Sequence, residues 1–196
     1  MGLKDLIFDI PWFFVNARSV LHNGFRVERS FLAGNLSRDS KVLDFGCGTG
    51  QFSVLAALYA GVDIEGPHIR YAQRNFPGKE FVFFGGDFSV PLESELFDAV
   101  FCIHVVHHVP PEGERVFREE VLRLLKKGGR ILIADHLPVA NQGNVLSKFL
   151  LSIDRGKFPR LPEQTATIFG ESVRIISKEN VKSGPYSMYL LVLEKL

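Results

Sequence analysis

The sequence predicts an α/β fold: a mostly parallel sheet with helices on both faces, closing on an antiparallel hairpin. Three observations carry this. The segment VLDFGCGTGQF, Val42 to Phe52, runs an apolar strand into a turn with glycines at 46, 48 and 50. Apolar strand-like runs then alternate with helical patterns as far as His136, and successive βαβ units build a parallel sheet covered on both sides. Finally, RIISKENV at 174–181 and YSMYLLVLEKL at 186–196 are separated only by Lys182 to Pro185, too few residues for a parallel crossover.

In chain order, residues 1–40 read as an N-terminal helical cap, with a helix over about 18–36 leading to Asp39-Ser40. A first strand is expected at 41–46. In the turn after it, glycine supplies positive φ angles and lets a ligand approach the backbone closely. A helix expected at 50–59 would add its unpaired N–H donors. A second strand at 61–64 leads to a helix at 67–75, where Pro67 suits a first helical position. A third strand spans 80–84. Beyond Asp87 come a loop, a fourth strand at 97–104, a helix at 112–126, a fifth strand at 130–135 and a helix near 143–152. The whole chain, 1–196, reads as one domain, with a ligand-binding core at 41–136 and a segment plus hairpin at 137–196.

Composition narrows the function. With 23 basic and 22 acidic residues the net charge is +1, and no Lys/Arg block makes an electrostatic footprint, which disfavours nucleic acid as a partner. Cys47 and Cys102 form no C-x-x-C pair and no zinc spacing, so no metal is expected and both read as reduced thiols of a cytoplasmic protein. No segment reaches the roughly 20 apolar residues of a membrane span. The stretch LKDLIFDIPWFFV is broken by Asp5, Asp9 and Pro11 and has no small-residue cleavage site, so a docking helix is expected there rather than a signal peptide. A peripheral membrane or partner contact is the alternative for it.

A dinucleotide fingerprint, G-x-G-x-x-G, needs a glycine at 51, where Gln51 stands; the spacing is G-x-G-x-G. That string resembles motif I of the class I S-adenosylmethionine (SAM)-dependent methyltransferases. The resemblance extends through Asp63 in AGVDI, Asp87 in FVFFGGDF, Phe97-Asp98 in FDAVFCIHVVHHV and EEVLRLLKKGGRILIADH at 119–136, covering Lys41 to His136. It implies a Rossmann-like sheet of seven strands whose last two form the hairpin, with SAM as cofactor and S-adenosylhomocysteine (SAH) as product. Asp63 would take both ribose hydroxyls, with Ile64 beside it and Glu65 next in line. Asp87 would receive the adenine amino group beside Phe88. Asp44 and the turn of Gly46, Cys47, Gly48 and Gly50 would face the methionine end, together with Ile103 and His104. Asp63 lies 13 positions past Gly50, so the helix between them is expected to be a turn short. An Asp at a strand end also serves as a turn or helix cap, which is the competing role of each acid.

A sulfonium is already an activated electrophile, so methyl transfer needs chiefly in-line positioning, exclusion of water and sometimes a base. His104 and His136, at the ends of two strands, are the candidate catalytic side chains, while His107-His108 is expected to orient a loop. The segment FLLSIDRGKFPRLPE, 149–163, resembles a subgroup of small methyltransferases with a DRG-(K/R)-x-x-R stretch, a connection that passes over the substrate pocket in this fold. Asp154 and Arg160 are therefore candidate acceptor contacts, with Arg155 and Lys157 near them. An Asp154–Arg155 ion pair that merely pins the loop is the alternative. The resulting expectation is a SAM-dependent methyltransferase of a small-molecule acceptor, monomeric or homodimeric. A non-catalytic SAM- or SAH-binding regulator or scaffold remains open, as does the acceptor atom; Gln51 disfavours a nicotinamide-dependent reductase.

Overall fold

A computed structural model describes residues 18–86 and 88–196. Trp12 to Phe14, the rest of the expected N-terminal docking helix and Asp87 lie outside the described residues. Seven strands form one sheet, β1 (Lys41–Phe45), β2 (Leu58–Asp63), β3 (Glu80–Phe83), β4 (Phe97–Ile103), β5 (Leu125–His136), β6 (Val173–Ser183) and β7 (Tyr186–Lys195), in the order β3-β2-β1-β4-β5-β7-β6. The first five run parallel, and β7 pairs antiparallel with both β5 and β6. The expected α/β sheet with its C-terminal hairpin is thus the observed one. The helices are α1 (Arg26–Asn35), α2 (Gly66–Asn75), α3 (Glu114–Leu124), α4 (Val145–Ile153) and α5 (Pro162–Phe169). No helix among the described residues is long and apolar enough to cross a membrane.

Alternation along each strand divides the interior. Leu43 and Phe45 of β1, Val100 and Cys102 of β4, Ile131 and Ile133 of β5, and Tyr189, Leu191 and Leu193 of β7 meet Phe117, Val121 and Leu124 of α3 and Ile168 and Phe169 of α5. Val42, Phe101, Leu132 and Met188 face the other way, onto Phe31 and Leu32 of α1 and Ile69 and Ala72 of α2. Both faces of the parallel strands are covered, as a parallel sheet requires, while most of the edge strand β6 is exposed. Because β1 has β2 on one side and β4 on the other, the chain reverses direction across the sheet there, and a crevice opens at the carboxyl ends of these strands.

Three expectations need correction, and one further helix has no counterpart among the expected elements. The helix over 18–36 is broken: residues 18–21 are helical, then Asn23, Gly24 and Phe25 take φ of 50°, 68° and 57° before α1 begins. Positive φ ends an α-helix, and only Gly24 adopts it without steric cost. The helix at 50–59 is absent. Once β2 has taken Leu58–Asp63, seven residues remain, and at 1.5 Å per residue a helix of that length covers roughly 10 Å, less than the ~17 Å a five-residue strand spans. A single 3₁₀ turn, Ser53–Leu55, and extended chain make the return instead. Carbonyls that a helix would have satisfied are met by side chains: the Arg29 Nη2 group donates to Gln51 O at 2.9 Å, and Lys79 Nζ to Ala56 O at 2.6 Å and Ala57 O at 3.1 Å. The fifth strand begins five residues early, its register against β4 slipping between Phe97 and Ala99 as Lys126 to Gly129 bulge out. The helix α5 was not foreseen, since its PEQTATIF sequence has Pro162 at the start and two threonines that blur helical periodicity.

Candidate functional site

At the carboxyl ends of β1, β2 and β4 lies a cavity of about 340 Å³, within the range of small-molecule sites. The glycine turn forms one wall. Gly46 and Cys47 both donate to Val62 O, at 2.8 and 3.0 Å, which fastens the turn over the end of β2. Gly48 N then donates to Asp63 Oδ2 at 2.7 Å, while Asp63 Oδ1 accepts from Glu65 N at 2.8 Å. Gly48 has φ +53°, and a Cβ there would meet no atom within 4 Å, so the turn presents bare backbone to open space. Asp63 lines the cavity with both oxygens already engaged by backbone amides, yet a carboxylate offers about four lone-pair sites, leaving two for a ribose diol. The competing role of this acid, as a turn clasp, is therefore present together with its position at the cavity. Ile64 and Phe88 line the same end, and Phe88, at φ 62°, packs edge-on against Phe117. Asp87, the expected adenine acid, lies outside the described residues. The turn residues and Asp63 fit an adenosyl ligand. The helix N-terminus expected to assist them does not exist here.

Asp44 is placed otherwise than expected. Its side chain belongs to the face occupied by Val42, where its Oδ2 accepts from the Tyr59 hydroxyl at 2.7 Å, and it is not among the cavity residues. Burial pushes its pKa up to about 8, only partly offset by the Tyr59 hydrogen bond. Cys47 and Gly50 also turn away from the cavity: the Cys47 sulfur packs on Gly61, and Gly50 lies beneath the Phe81 ring.

The far end of the cavity is built from histidines. Ile103 lines it at the end of β4, and His104 follows with φ 58°, a left-handed conformation uncommon outside glycine that turns the chain at the strand end. His136 ends β5, and its ring stacks on that of His104 with centroids 4.7 Å apart. His22 reaches them from the break in the N-terminal helix, its centroid 4.3 Å from that of His104. Glu28, fully buried on α1, accepts from His22 Nδ1 and His104 Nε2 at 3.0 Å each. Burial lowers the pKa of all three imidazoles; His22 depresses that of His104 further, and His104 that of His136. Burial thus favours the uncharged form of each ring. The sequence placed His104 and His136 at the site, but not His22 or Glu28. The available signal for Glu28 was an acid in the apolar stripe of α1, between Phe25 and Leu32.

A third cluster seals one side. The His107 ring donates from Nδ1 to Asp135 Oδ1 at 2.6 Å, and its Nε2 lies 3.4 Å from Asp154 Oδ1. Burial opposes charge on this ring, but the two carboxylates overcome it and push the pKa up to about 9. The same cation holds Asp135 and Asp154 below the usual carboxylate range against their own burial. Gly156 N donates to Asp154 Oδ1 at 2.6 Å, Phe158 N donates to His107 O at 2.9 Å, and a Cβ on Gly156 would collide with the His107 ring. The DRG stretch is thus moulded onto His107, and Leu150, Ile153, Asp154 and Arg155 cover the cavity.

Arg160, expected to contact the acceptor, is committed elsewhere. Its guanidinium donates to Val106 O, Phe158 O and Val109 O at 2.8–3.0 Å and to Glu114 Oε1 at 2.7 Å, so it ties the stretch to the turns after β4 and to α3. Arg155, not Arg160, lines the cavity. Arg160→Ala strands these carbonyls and should lower stability by about 1–3 kcal/mol, or roughly 2–12 °C in melting temperature for a chain of this size. SAH affinity measured by calorimetry should stay within about twofold. A large loss of affinity at unchanged stability would return Arg160 to the ligand site.

Comparison with known proteins finds methyltransferases. A methyltransferase-domain family model matches residues 43–133. An uncharacterised methyltransferase of Bacillus subtilis, YcgJ, is 31% identical over 129 residues, 62% of this chain and 49% of its own length. A probable tRNA methyltransferase of Mus musculus is 33% identical over 97 residues, covering 48% of this chain and 21% of that protein. The chain thus spans half or less of the length of these curated relatives. Among solved structures, the geranyl diphosphate C-methyltransferase of Streptomyces coelicolor A3(2), described in complex with Mg2+, geranyl diphosphate and SAH, superimposes with a TM-score of 0.67 at 14% identity, over 87% of this chain and 77% of that one. At such identity the likeness is one of fold.

Proposed function

Because residues 43–133 match a methyltransferase-domain family model, we propose that this chain is a class I SAM-dependent methyltransferase that transfers a methyl group from SAM to a small-molecule acceptor. The observation that carries this reading is the cavity itself, which runs from Asp63 and Gly48 at one end to His104, His136 and Tyr186 at the other under a cover of Leu150 and Ile153. One end suits an adenosyl group. The other end is of a size for a small acceptor, and the sequence, with a net charge of +1, carries no Lys/Arg block of the kind that tracks a nucleic-acid backbone.

When bound, SAM supplies a methyl group on a positively charged sulfur. Asp63 would hold the ribose, the bare backbone at Gly48 would allow close approach, and Phe84 and Phe88 would give the adenine an apolar bed. Burial by the cover excludes water from the transfer. The His104 and His136 rings line the acceptor end, where they would orient the acceptor toward the methyl group. Calorimetry with SAH tests the cofactor half of the proposal: Asp63→Ala should weaken binding about ten- to a hundredfold, roughly 1.5–3 kcal/mol, since an acceptor of two hydroxyl bonds is lost along with the clasp on Gly48. Binding of NAD without binding of SAH would refute it. SAH release over a panel of small metabolites separates an enzyme from a passive SAM-binding protein.

A further inference from the structure

We propose that His22, His104 and His136 form a binding site for a divalent transition-metal ion at the acceptor end of the cavity, with Glu28 as its supporting carboxylate. The three rings come from the break before α1, the end of β4 and the end of β5, and they are 2%, 3% and 4% exposed. Each offers a nitrogen, and these nitrogens lie within 4.8 Å of one another. A tetrahedral zinc ion, with Zn–N bonds of about 2.0 Å, draws its ligands to roughly 3.3 Å apart, so the rings close by about 1.5 Å at most.

Glu28 decides which nitrogens are available. Its Oε1 accepts from His22 Nδ1 and His104 Nε2, and the Ser183 hydroxyl lies 2.9 and 3.1 Å from its two oxygens. Protons held on those two ring nitrogens leave lone pairs on His22 Nε2 and His104 Nδ1. A carboxylate that orients metal-ligating histidines through their second nitrogens is the usual support of such sites. Moreover, His104 Nδ1 and His136 Nδ1 are buried with no hydrogen-bond partner among the described residues. Two unsatisfied polar atoms in stacked, adjacent rings are costly unless something else binds there. Arg18, which lines the same cavity, and the charged His107 ring, 5.4 Å from that of His136, oppose a cation at this place, whereas Glu28, Asp135 and Asp154 favour it.

Three imidazoles leave the fourth position of the ion open, the arrangement of catalytic rather than structural zinc, and all three rings belong to the lining of the cavity. The donor set is nitrogen, which selects zinc, cobalt, nickel, copper or iron over magnesium or calcium. The site goes beyond the methyl-transfer reading and stands without it. Where both hold, the ion is the anchor for an oxygen, nitrogen or sulfur atom of the acceptor. No such spacing exists in the sequence, because positions 22, 104 and 136 come together only in the folded chain.

Titration of metal-stripped protein with Co2+ tests the site. Wild type should bind one equivalent with visible d–d absorption, displaced by Zn2+. Glu28→Gln should weaken binding about 10- to 100-fold. His104→Gln and His136→Gln should abolish the absorption while circular dichroism and melting show folded protein, and His108→Gln should retain it. No d–d absorption in wild type, or absorption lost in His108→Gln and kept in His136→Gln, would overturn the proposal; the second result would place the ion at His107, His108 and Asp154 instead. SAH calorimetry on the same samples separates the two readings. Binding of SAH without Co2+ removes the metal site and leaves the methyltransferase reading; Co2+ binding without SAH does the reverse.

Discussion

Asp135→Asn should destabilise the protein by about 3–5 kcal/mol, the usual consequence of removing one partner of a buried ion pair and leaving the other charge uncompensated. Asp135 is 1% exposed and accepts from three donors: the His107 ring at 2.6 Å, His107 N at 3.0 Å and His136 N at 2.7 Å. With it gone, Asp154 is the remaining carboxylate against His107, at 3.4 Å. A melting temperature lower by roughly 6–20 °C is expected for a chain of this size. The effect carries a pH signature. The His107 pKa rises from an unfolded value of 6.5 to about 9 in the folded protein, so the native state holds this proton more tightly. The stability it contributes is complete below pH 6.5 and disappears as the pH rises through about 9. The gap between wild type and Asp135→Asn should therefore narrow over that window when both are melted across it. A gap independent of pH would mean that His107 is neutral and its bond to Asp135 an ordinary one. The DRG stretch rests on His107, so in wild type the amides of 154–158 should lose protection above this window, once the intrinsic pH dependence of exchange is divided out.

Gly48→Val should abolish SAH binding, a loss greater than about a hundredfold, because the new side chain would occupy the space that Gly48 leaves open to the cavity. The fold should survive. A β-branched residue at φ +53° costs about 1–3 kcal/mol, and a Cβ at this position meets no protein atom. Calorimetry and a thermal melt on the same sample separate the two effects. Affinity retained within tenfold would show that the adenosyl group does not cross the turn, and the case for Asp63 as the ribose acid would fall with it.

What the sequence determined by itself was the frame and one end of the cavity. Periodicity placed β1, β3, β4, α2 and the β6–β7 hairpin to within a few residues, because each is a local pattern of apolar residues read against a fixed period. The G-x-G-x-G turn with Asp63 was legible for the same reason: these residues are near neighbours in the chain. Local reading failed where the length of a connection mattered more than its composition. Residues 51–57 have a helix-compatible composition but too little length to return along the sheet as a helix, and only the position of β2 reveals this. Side-chain roles that depend on distant partners were also decided by tertiary structure. Asp44 turns to Tyr59 across the β1–β2 pair, and Arg160 is consumed by carbonyls more than fifty positions before it. The gathering of His22, His104 and His136 around Glu28 has no trace in spacing at all. It exists because two parallel strands end side by side and a helix broken at Gly24 folds across them, and adjacency of strand ends is a property of the sheet, not of the chain.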